Sequence, residues 1–177
     1  LSTHDTARAI TVLAGVDGAG KDRLWQAIQS LSPEEYRLGI KRLKLAMVLQ
    51  YSLPGIPCIY YGDEAGLQGY TDPFNRGCYP WGHQNEELMN FTKELGEIRR
   101  ACPALDGGSL RFVDTPADVV GLLRYDRTHQ YLVYVNSIDA AVSLPLDETL
   151  RHLSPVRGDV KNGIIHLEPY GFAILKK

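Results

Sequence analysis

The sequence lacks the cysteine patterns that mark metal-binding and redox domains. Its three cysteines, Cys58, Cys78 and Cys102, are widely spaced, and no Cys-x-x-Cys pair occurs. The spacing therefore gives no support to a zinc site or to a thioredoxin-like motif, and we expect neither a metal nor a cofactor. Reduced thiols of this kind are typical of cytosolic proteins, so the predicted location is cytoplasmic.

The sequence also has no excess of one charge and no long hydrophobic run. Its 177 residues contain 19 Lys and Arg against 21 Asp and Glu, a net charge of −2. The one basic cluster, Lys41, Arg42 and Lys44, falls in a helical pattern and is interpreted as a solvated face. No apolar run approaches the ~20 residues that span a bilayer. We therefore predict neither nucleic acid nor membrane as a partner, because nucleic-acid binding needs clustered cations.

An initiator methionine is missing as well. The chain begins at Leu1, so we expect a piece of a longer protein, and the missing signal peptide carries little information. Apolar residues make up 44% and charged residues 23% of the chain, which is typical of a globular protein with a hydrophobic core.

The first hundred residues alternate helical and strand-like patterns. Ser32 and Glu35 form a capping box before a helical pattern that ends at Pro54. Residues 56–61 are a short apolar run between two glycines, which predicts a strand buried on both faces of a parallel sheet. Asn85 can cap a further helix over residues 86–101. This order is typical of an α/β fold.

The second part of the chain is typical of an antiparallel β-sandwich. Short β-rich runs are separated by turn residues, at 110–113, 119–125, 131–135, 142–146, 164–167 and 172–175. The stretch 103–108 is the predicted boundary. We therefore predict two domains, residues 1–103 and residues 104–177.

One motif favours a nucleotide-binding protein. Residues 15–22 match G-x-x-x-x-G-K and precede a helix predicted over residues 22–31, and Asp63-Glu64 could imitate the acidic partner that holds Mg²⁺. The position after the lysine is Asp22, however, where a phosphate-binding loop needs the hydroxyl of Ser or Thr. The alternative interpretation is a glycine-rich loop that ends in an Asp22 helix cap.

A second group of motifs resembles a known family. His4-Asp5 is followed by a long helical pattern and then by Gly-Ile-Pro-Cys-Ile-Tyr-Tyr-Gly-Asp-Glu at residues 55–64. Thr-Asp-Pro-Phe-Asn-Arg at residues 71–76 precedes Pro-Trp, and Leu-Glu-Pro-Tyr-Gly-Phe-Ala-Ile-Leu ends the chain at residues 167–175. Together these segments resemble the α-amylase family of glycoside hydrolases (family 13), in its neopullulanase, cyclomaltodextrinase and maltogenic-amylase branch.

The resemblance implies a fold and a substrate class. The fold would be the C-terminal part of a (β/α)₈ TIM barrel, with residues 56–61 as its eighth strand, followed by a small antiparallel β-sandwich. The function would be retaining hydrolysis of α-glucosidic bonds in maltooligosaccharides, cyclodextrins or pullulan. A glucan transglycosylase is the alternative within the family. In this branch an N-terminal domain often supports dimerisation, so a homodimer is also among the expectations.

The resemblance also assigns roles to four residues. Asp5 would be the third catalytic carboxylate, and His4 would donate a hydrogen bond to the same sugar. The nucleophile and the general acid lie on other strands of the family's barrel, so we expect this chain alone to be inactive. Asp72 and Arg76 would bind a neighbouring sugar, or else form a surface ion pair across a turn. Tyr79 and Trp81 either stack on sugars or fill the space between barrel and sandwich.

Overall fold

The computed structural model describes residues 1–16 and 18–177. Its helices are Ala9–Leu13 (α1), Arg23–Ile28 (α2), Pro33–Ser52 (α3), Glu86–Arg100 (α4) and Ala104–Gly107 (α5), with a 3₁₀ turn at Glu148–Leu150. Its strands are Ser109–Val113 (β1), Val119–Tyr125 (β2), Gln130–Asn136 (β3), Val142–Pro145 (β4), Ser154–Arg157 (β5), Asp159–Lys161 (β6), Ile164–Leu167 (β7) and Phe172–Lys176 (β8). None of the described helices is both long and apolar enough to cross a membrane.

The contacts of the chain divide it into two compact units. The helical unit comprises Leu1–Met47 and Pro57–Glu94, and the β unit comprises Val48–Ile56 and Leu95–Lys177. The last turn of α3 and the last turn of α4 thus belong to the β unit. The division into domains at residue 103 stays a prediction.

The helix starts in the helical unit form where the capping residues predict them. Ser32 N donates to Glu35 Oε2 at 2.7 Å and Glu35 N donates to Ser32 Oγ at 3.2 Å, which completes the capping box of α3. Asn85 Oδ1 accepts from Leu88 N at 2.9 Å at the start of α4. These two caps are confirmed, and each is worth about 1 kcal/mol.

The strand predicted over residues 56–61 is absent from the structure. These residues form no strand, and the side chain of Ile56 is 94% exposed although the pattern predicts burial on both faces. A parallel strand forms only when neighbouring strands satisfy its backbone N–H and C=O groups. Every strand pairing found among the described residues joins strands of the β unit, so no described strand pairs with this segment.

The predicted antiparallel sandwich is confirmed. One sheet has the order β1-β2-β3-β8-β5 and the other has the order β4-β7-β6, and every pairing is antiparallel. All six predicted β-rich runs are strands within one or two residues. The short strands β5 and β6 were not predicted, because β5 contains Pro155 and neither has an alternating apolar pattern.

The core of the β unit lies between its two sheets. Alternate residues of facing strands enter it, as the period of two requires. Its buried side chains are Val119, Leu123, Leu132, Tyr134, Leu144, Leu146, Leu150, Leu153, Ile165, Leu167, Ala173 and Leu175. Burial of each large aliphatic member contributes roughly 1.5–3 kcal/mol, so this cluster makes a large contribution to the stability of the unit.

A buried arginine supports the other face of the larger sheet. Arg124 is 1% exposed and donates to the carbonyls of Ser52 at 2.9 Å, Gly108 at 2.9 Å and Ser109 at 3.3 Å. Burial, followed by the nearby charge of Arg99, lowers the pKa of Arg124. The guanidinium therefore ties the end of α3 and the start of β1 to β2 through backbone carbonyls.

Replacement of Arg124 should strongly destabilise the β unit. We expect Arg124→Met to lower the free energy of unfolding by about 2–4 kcal/mol, because it leaves buried carbonyls without donors. Urea unfolding followed by circular dichroism would measure the change. Arg127→Ala removes an exposed arginine of the next turn and should stay within about 0.5 kcal/mol of the parent. Equal effects of the two replacements on the free energy of unfolding would contradict the structural role of Arg124.

The turn between β2 and β3 should respond to acid. Asp126 Oδ1 accepts from the backbone N–H groups of Thr128 and His129, each at 2.7 Å, and these bonds lower the pKa of Asp126 from 3.8 to about 2. Because the folded pKa is the lower one, the contribution is complete above about pH 4 and disappears as pH falls through 2. Carboxyl NMR shifts should give the low pKa, and Asp126→Asn should remove the acid-dependent loss of stability in this window. A titration midpoint near 4 for the Asp126 carboxyl would contradict the lowered pKa.

Candidate functional site

The predicted His4-Asp5 pair lies on a tight turn before α1. Thr3 N donates to Thr6 Oγ1 at 2.9 Å and Asp5 N donates to Thr3 Oγ1 at 3.1 Å, so the two threonines close the turn. The side chains of His4 and Asp5 are 67% and 75% exposed, and His4 Nε2 lies 3.3 Å from Asp5 Oδ2. The turn is thus held by its threonines while its two functional candidates face solvent.

A second loop brings Asp72 and Arg76 to the same place. Arg76 Nε lies 2.8 Å from Asp72 Oδ1 and donates to the carbonyl of His4 at 3.1 Å. Arg76 Nη2 lies 4.0 Å from Asp5 Oδ1. All four residues predicted from the sequence therefore form one exposed cluster, in which Arg76 is the common partner. An exposed ion pair of this kind contributes only about 0–1 kcal/mol to stability.

Asn75 links the loop of residues 71–76 to the turn that carries His4 and Asp5. Its sequence position did not predict this role. The residue is fully buried. Its Nδ2 donates to the carbonyls of His4 at 2.9 Å, Thr6 at 2.8 Å and Thr3 at 3.3 Å. One amide group thus fixes the backbone on both sides of Asp5, and the Asp5 side chain stays 75% exposed.

A buried arginine, Arg8, holds the backbone of the loop that carries Asn75. Arg8 has no exposed surface, and its Nε donates to the carbonyl of Asn75 at 2.7 Å. Its Nη1 donates to the carbonyl of Tyr61 and lies 3.4 Å from Asp63 Oδ1. Asp63 in turn accepts from Ser2 Oγ at 2.7 Å. Asp63 therefore holds the N-terminal segment and Arg8 together inside the unit.

The cluster offers the polar groups that recognise a polyhydroxylated ligand. A carboxylate accepts hydrogen bonds, whereas a guanidinium and an imidazole donate them. In the described part of the chain no group of three or more His, Cys, Asp or Glu side chains could hold a metal ion. The chemistry available here is hydrogen bonding and charge.

The contacts of the glycine-rich segment favour a capped loop over a phosphate cradle. Asp22 accepts from Trp25 N at 2.8 Å as the predicted cap of α2, which has six residues and ends at Ile28, before the predicted Leu31. Lys21 Nζ lies over the Trp25 ring, 5.4 Å from its centroid. Asp17, inside the nucleotide-binding motif, lies outside the described residues.

Known proteins resemble this chain in both sequence and structure. No family model matches it. It is 41% identical over 119 residues to an amylopullulanase of Thermoanaerobacter thermohydrosulfuricus, covering 67% of this chain and 8% of that protein. It is 27% identical over 186 residues to a cyclomaltodextrinase of Geobacillus thermopakistaniensis, covering 98% of this chain and 28% of that protein. The chain belongs to the α-amylase family.

A solved structure extends this relationship to the fold. The type III pullulan hydrolase from Thermococcus kodakarensis superposes on all of this chain with a TM-score of 0.77 and 30% identity, over 28% of its own length. The predicted family and fold class, the C-terminal part of a TIM barrel followed by a β-sandwich, are therefore confirmed. This α-amylase-family chain spans about a third or less of the relatives named here.

Removal of the Asn75 amide should release the turn that carries Asp5. We expect Asn75→Ala to lower the free energy of unfolding by about 1–3 kcal/mol, because the Thr6 carbonyl loses its side-chain donor and the His4 and Thr3 carbonyls keep only longer bonds, to Arg76 Nε at 3.1 Å and Thr6 N at 3.4 Å. Hydrogen exchange in residues 3–6 should rise more than elsewhere in the helical unit.

Asn90, exposed on α4, provides the matched control. Asn90→Ala removes the same group from the surface and should change neither measurement appreciably. Unchanged exchange at the turn in Asn75→Ala would show that the threonine bonds alone hold it.

Proposed function

We propose that this chain supplies the third catalytic carboxylate and a sugar-binding loop to a retaining glycoside hydrolase. The substrates would contain α-glucosidic bonds, as in maltooligosaccharides, cyclodextrins or pullulan. The observation that carries the proposal is the convergence of His4, Asp5, Asp72 and Arg76 in one exposed cluster. Relatives named amylopullulanase and cyclomaltodextrinase support the substrate class.

Asp5 would act in the transition state. Retaining hydrolysis proceeds through a sugar with oxocarbenium character, flanked by a nucleophile and a general acid from other parts of the barrel. Asp5 would accept hydrogen bonds from hydroxyls beside the reacting carbon, and these bonds tighten as positive charge develops. His4, 3.3 Å from Asp5, would donate to the same sugar.

Asp72 and Arg76 would bind the neighbouring sugar of the oligosaccharide. Arg76 Nε lies 2.8 Å from Asp72 Oδ1, whereas Arg76 Nη2 lies 4.0 Å from Asp5 Oδ1, so the closer ion pair of Arg76 is with Asp72. Hydrogen bonds to a sugar that does not react are made equally in the ground and transition states. Such uniform binding changes KM more than kcat.

The decisive experiment joins this segment to the remaining barrel of a relative. The chain would replace the matching segment of the Geobacillus cyclomaltodextrinase, and hydrolysis of maltotriose and β-cyclodextrin would be measured. The isolated chain should show no hydrolysis. In the active chimera, Asp5→Asn should lower kcat by on the order of 10²–10³ with a smaller change in KM.

Asp139→Asn, at an exposed site of the β unit, is the matched control and should keep the parent kcat. A chimera in which Asp5→Asn retains the parent kcat would refute the catalytic role. Hydrolysis by the isolated chain, free of contaminating enzyme, would refute the proposal that the nucleophile and the general acid come from other strands of the barrel.

The same chimera tests whether Arg76 binds sugar without taking part in bond cleavage. Arg76→Ala should weaken the binding of long glucans by about 1–3 kcal/mol, because Asp72 loses its charged partner and the sugar loses a donor. A chromogenic monoglucoside cannot reach that sugar site and should be affected much less. The measurement is kcat/KM for both substrates. Equal losses on the two would mean that Arg76 only supports the His4 turn.

A further inference from the structure

An exposed tryptophan lies in the same loop as the predicted sugar-binding pair. Trp81 follows Arg76 by five positions and is 78% exposed. A tryptophan carries a large apolar surface that folding normally removes from water. Among the large apolar side chains described between residues 62 and 85, Trp81 alone is this exposed.

The position of Trp81 is fixed by its neighbours. The Tyr79 ring packs against it with centroids 4.5 Å apart and planes inclined by 51°. Trp81 N donates to the Tyr79 carbonyl at 2.9 Å, and His83 N donates to the Pro80 carbonyl at 2.9 Å. These contacts restrict the backbone of the turn and one face of the ring, and such preorganisation reduces the entropy cost of binding.

The segment that carries Trp81 is anchored to the body of the helical unit at both ends. At its far end the Asn85 N–H donates to the Ala65 carbonyl at 3.0 Å. The start of the segment is also held, because Tyr61 Oη donates to the Gly77 carbonyl at 2.9 Å. The exposed ring thus projects from a backbone anchored on both sides.

The surroundings of Trp81 favour a sugar over a protein partner. Protein interfaces have a contiguous apolar centre, whereas Trp81 is a single aromatic side chain. The loop around it exposes Asp72, Arg76 and His83, which are charged or hydrogen-bonding groups. A pyranose ring presents an apolar C–H face to an aromatic ring and hydroxyls at its rim, and so matches one ring surrounded by polar side chains.

We propose that Trp81, supported by Tyr79, is a stacking platform for a glucose ring of an α-glucan. The inference rests on the proposed function, to which it adds a binding residue beyond the Asp5 cluster. Trp81 binds the apolar face of the ring and Arg76 and Asp72 bind hydroxyls of the same oligosaccharide. The platform acts on affinity and takes no part in bond cleavage.

The test uses the 177-residue chain itself, in native gels that contain soluble starch, hydroxyethylcellulose or no polysaccharide. Starch should retard the parent chain, and the β-linked polymer should not. Trp81→Ala should lower the apparent affinity for starch by about tenfold, as for truncation of an aromatic anchor, and Trp81→Phe should retain part of it. Trp25→Phe is the matched control, since Trp25 packs on Tyr70 at 5.0 Å between centroids, and should bind as the parent does.

Each other outcome overturns the platform. If starch retards Trp81→Ala like the parent but no longer retards Arg76→Ala, the loop binds glucan without Trp81 and the proposed function stands. If no form binds starch, the platform is wrong, while the chimera kinetics of Asp5→Asn still decide the proposed function. If Trp81→Ala instead converts a self-associated parent to a monomer in sedimentation velocity, Trp81 is a protein contact.

Discussion

The candidate site depends on one buried cation, Arg8. A guanidinium without exposed surface is tolerated only when it is paired and hydrogen-bonded, because removal of a charge from water costs several kcal/mol. Arg8 Nη1 is paired with Asp63 and donates to the Tyr61 carbonyl, and its Nε donates to the Asn75 carbonyl. Its Nη2 has no hydrogen-bond partner among the described residues, and the guanidinium lies 4.4 Å from the Tyr60 ring centroid. Movement of the loop that carries Asn75 would remove the carbonyl that accepts from Arg8 Nε and leave that buried N–H without a hydrogen bond. The position of the loop is therefore favoured by the cost of an unsatisfied buried donor, while Asp63 and the Tyr61 carbonyl remain partners of the cation.

A series of hydrogen bonds connects Arg8 to the exposed cluster. The Asn75 carbonyl accepts from Arg8, and the Asn75 side chain donates to the carbonyls of Thr3, His4 and Thr6. The turn is thus held by bonds to its backbone. The carboxylate of Asp5 is not needed to hold the turn and is exposed, which is what a binding site on a rigid support requires.

Local patterns predicted much of the fold, and contacts distant in sequence explain the failures. The Ser32–Glu35 box, the Asn85 cap and the six strand runs each depend on residues within a few positions of one another. The strand expected at residues 56–61 depends on neighbours that the described chain does not provide. The resemblance to the family named the exposed residues of the cluster, whose catalytic and binding roles remain predictions. Asn75 was missed because its partners are 69 to 72 positions away, and a buried amide has no local signature.

The same geometry explains why the cluster contributes little to the stability of the helical unit. The ion pairs of Arg76 involve side chains that are 47–75% exposed, and such pairs are worth about 0–1 kcal/mol. The stability of the unit comes mainly from buried apolar side chains such as Ile10, Leu43 and Leu88, and the contacts of Arg8, Asn75 and Asp63 fix the local shape of the turn and the loop. Because the two sets of residues are separate, the exposed side chains can be arranged for a ligand without weakening the support. A substitution at Asp5 should therefore change ligand chemistry, whereas a substitution at Asn75 should change the shape of the turn.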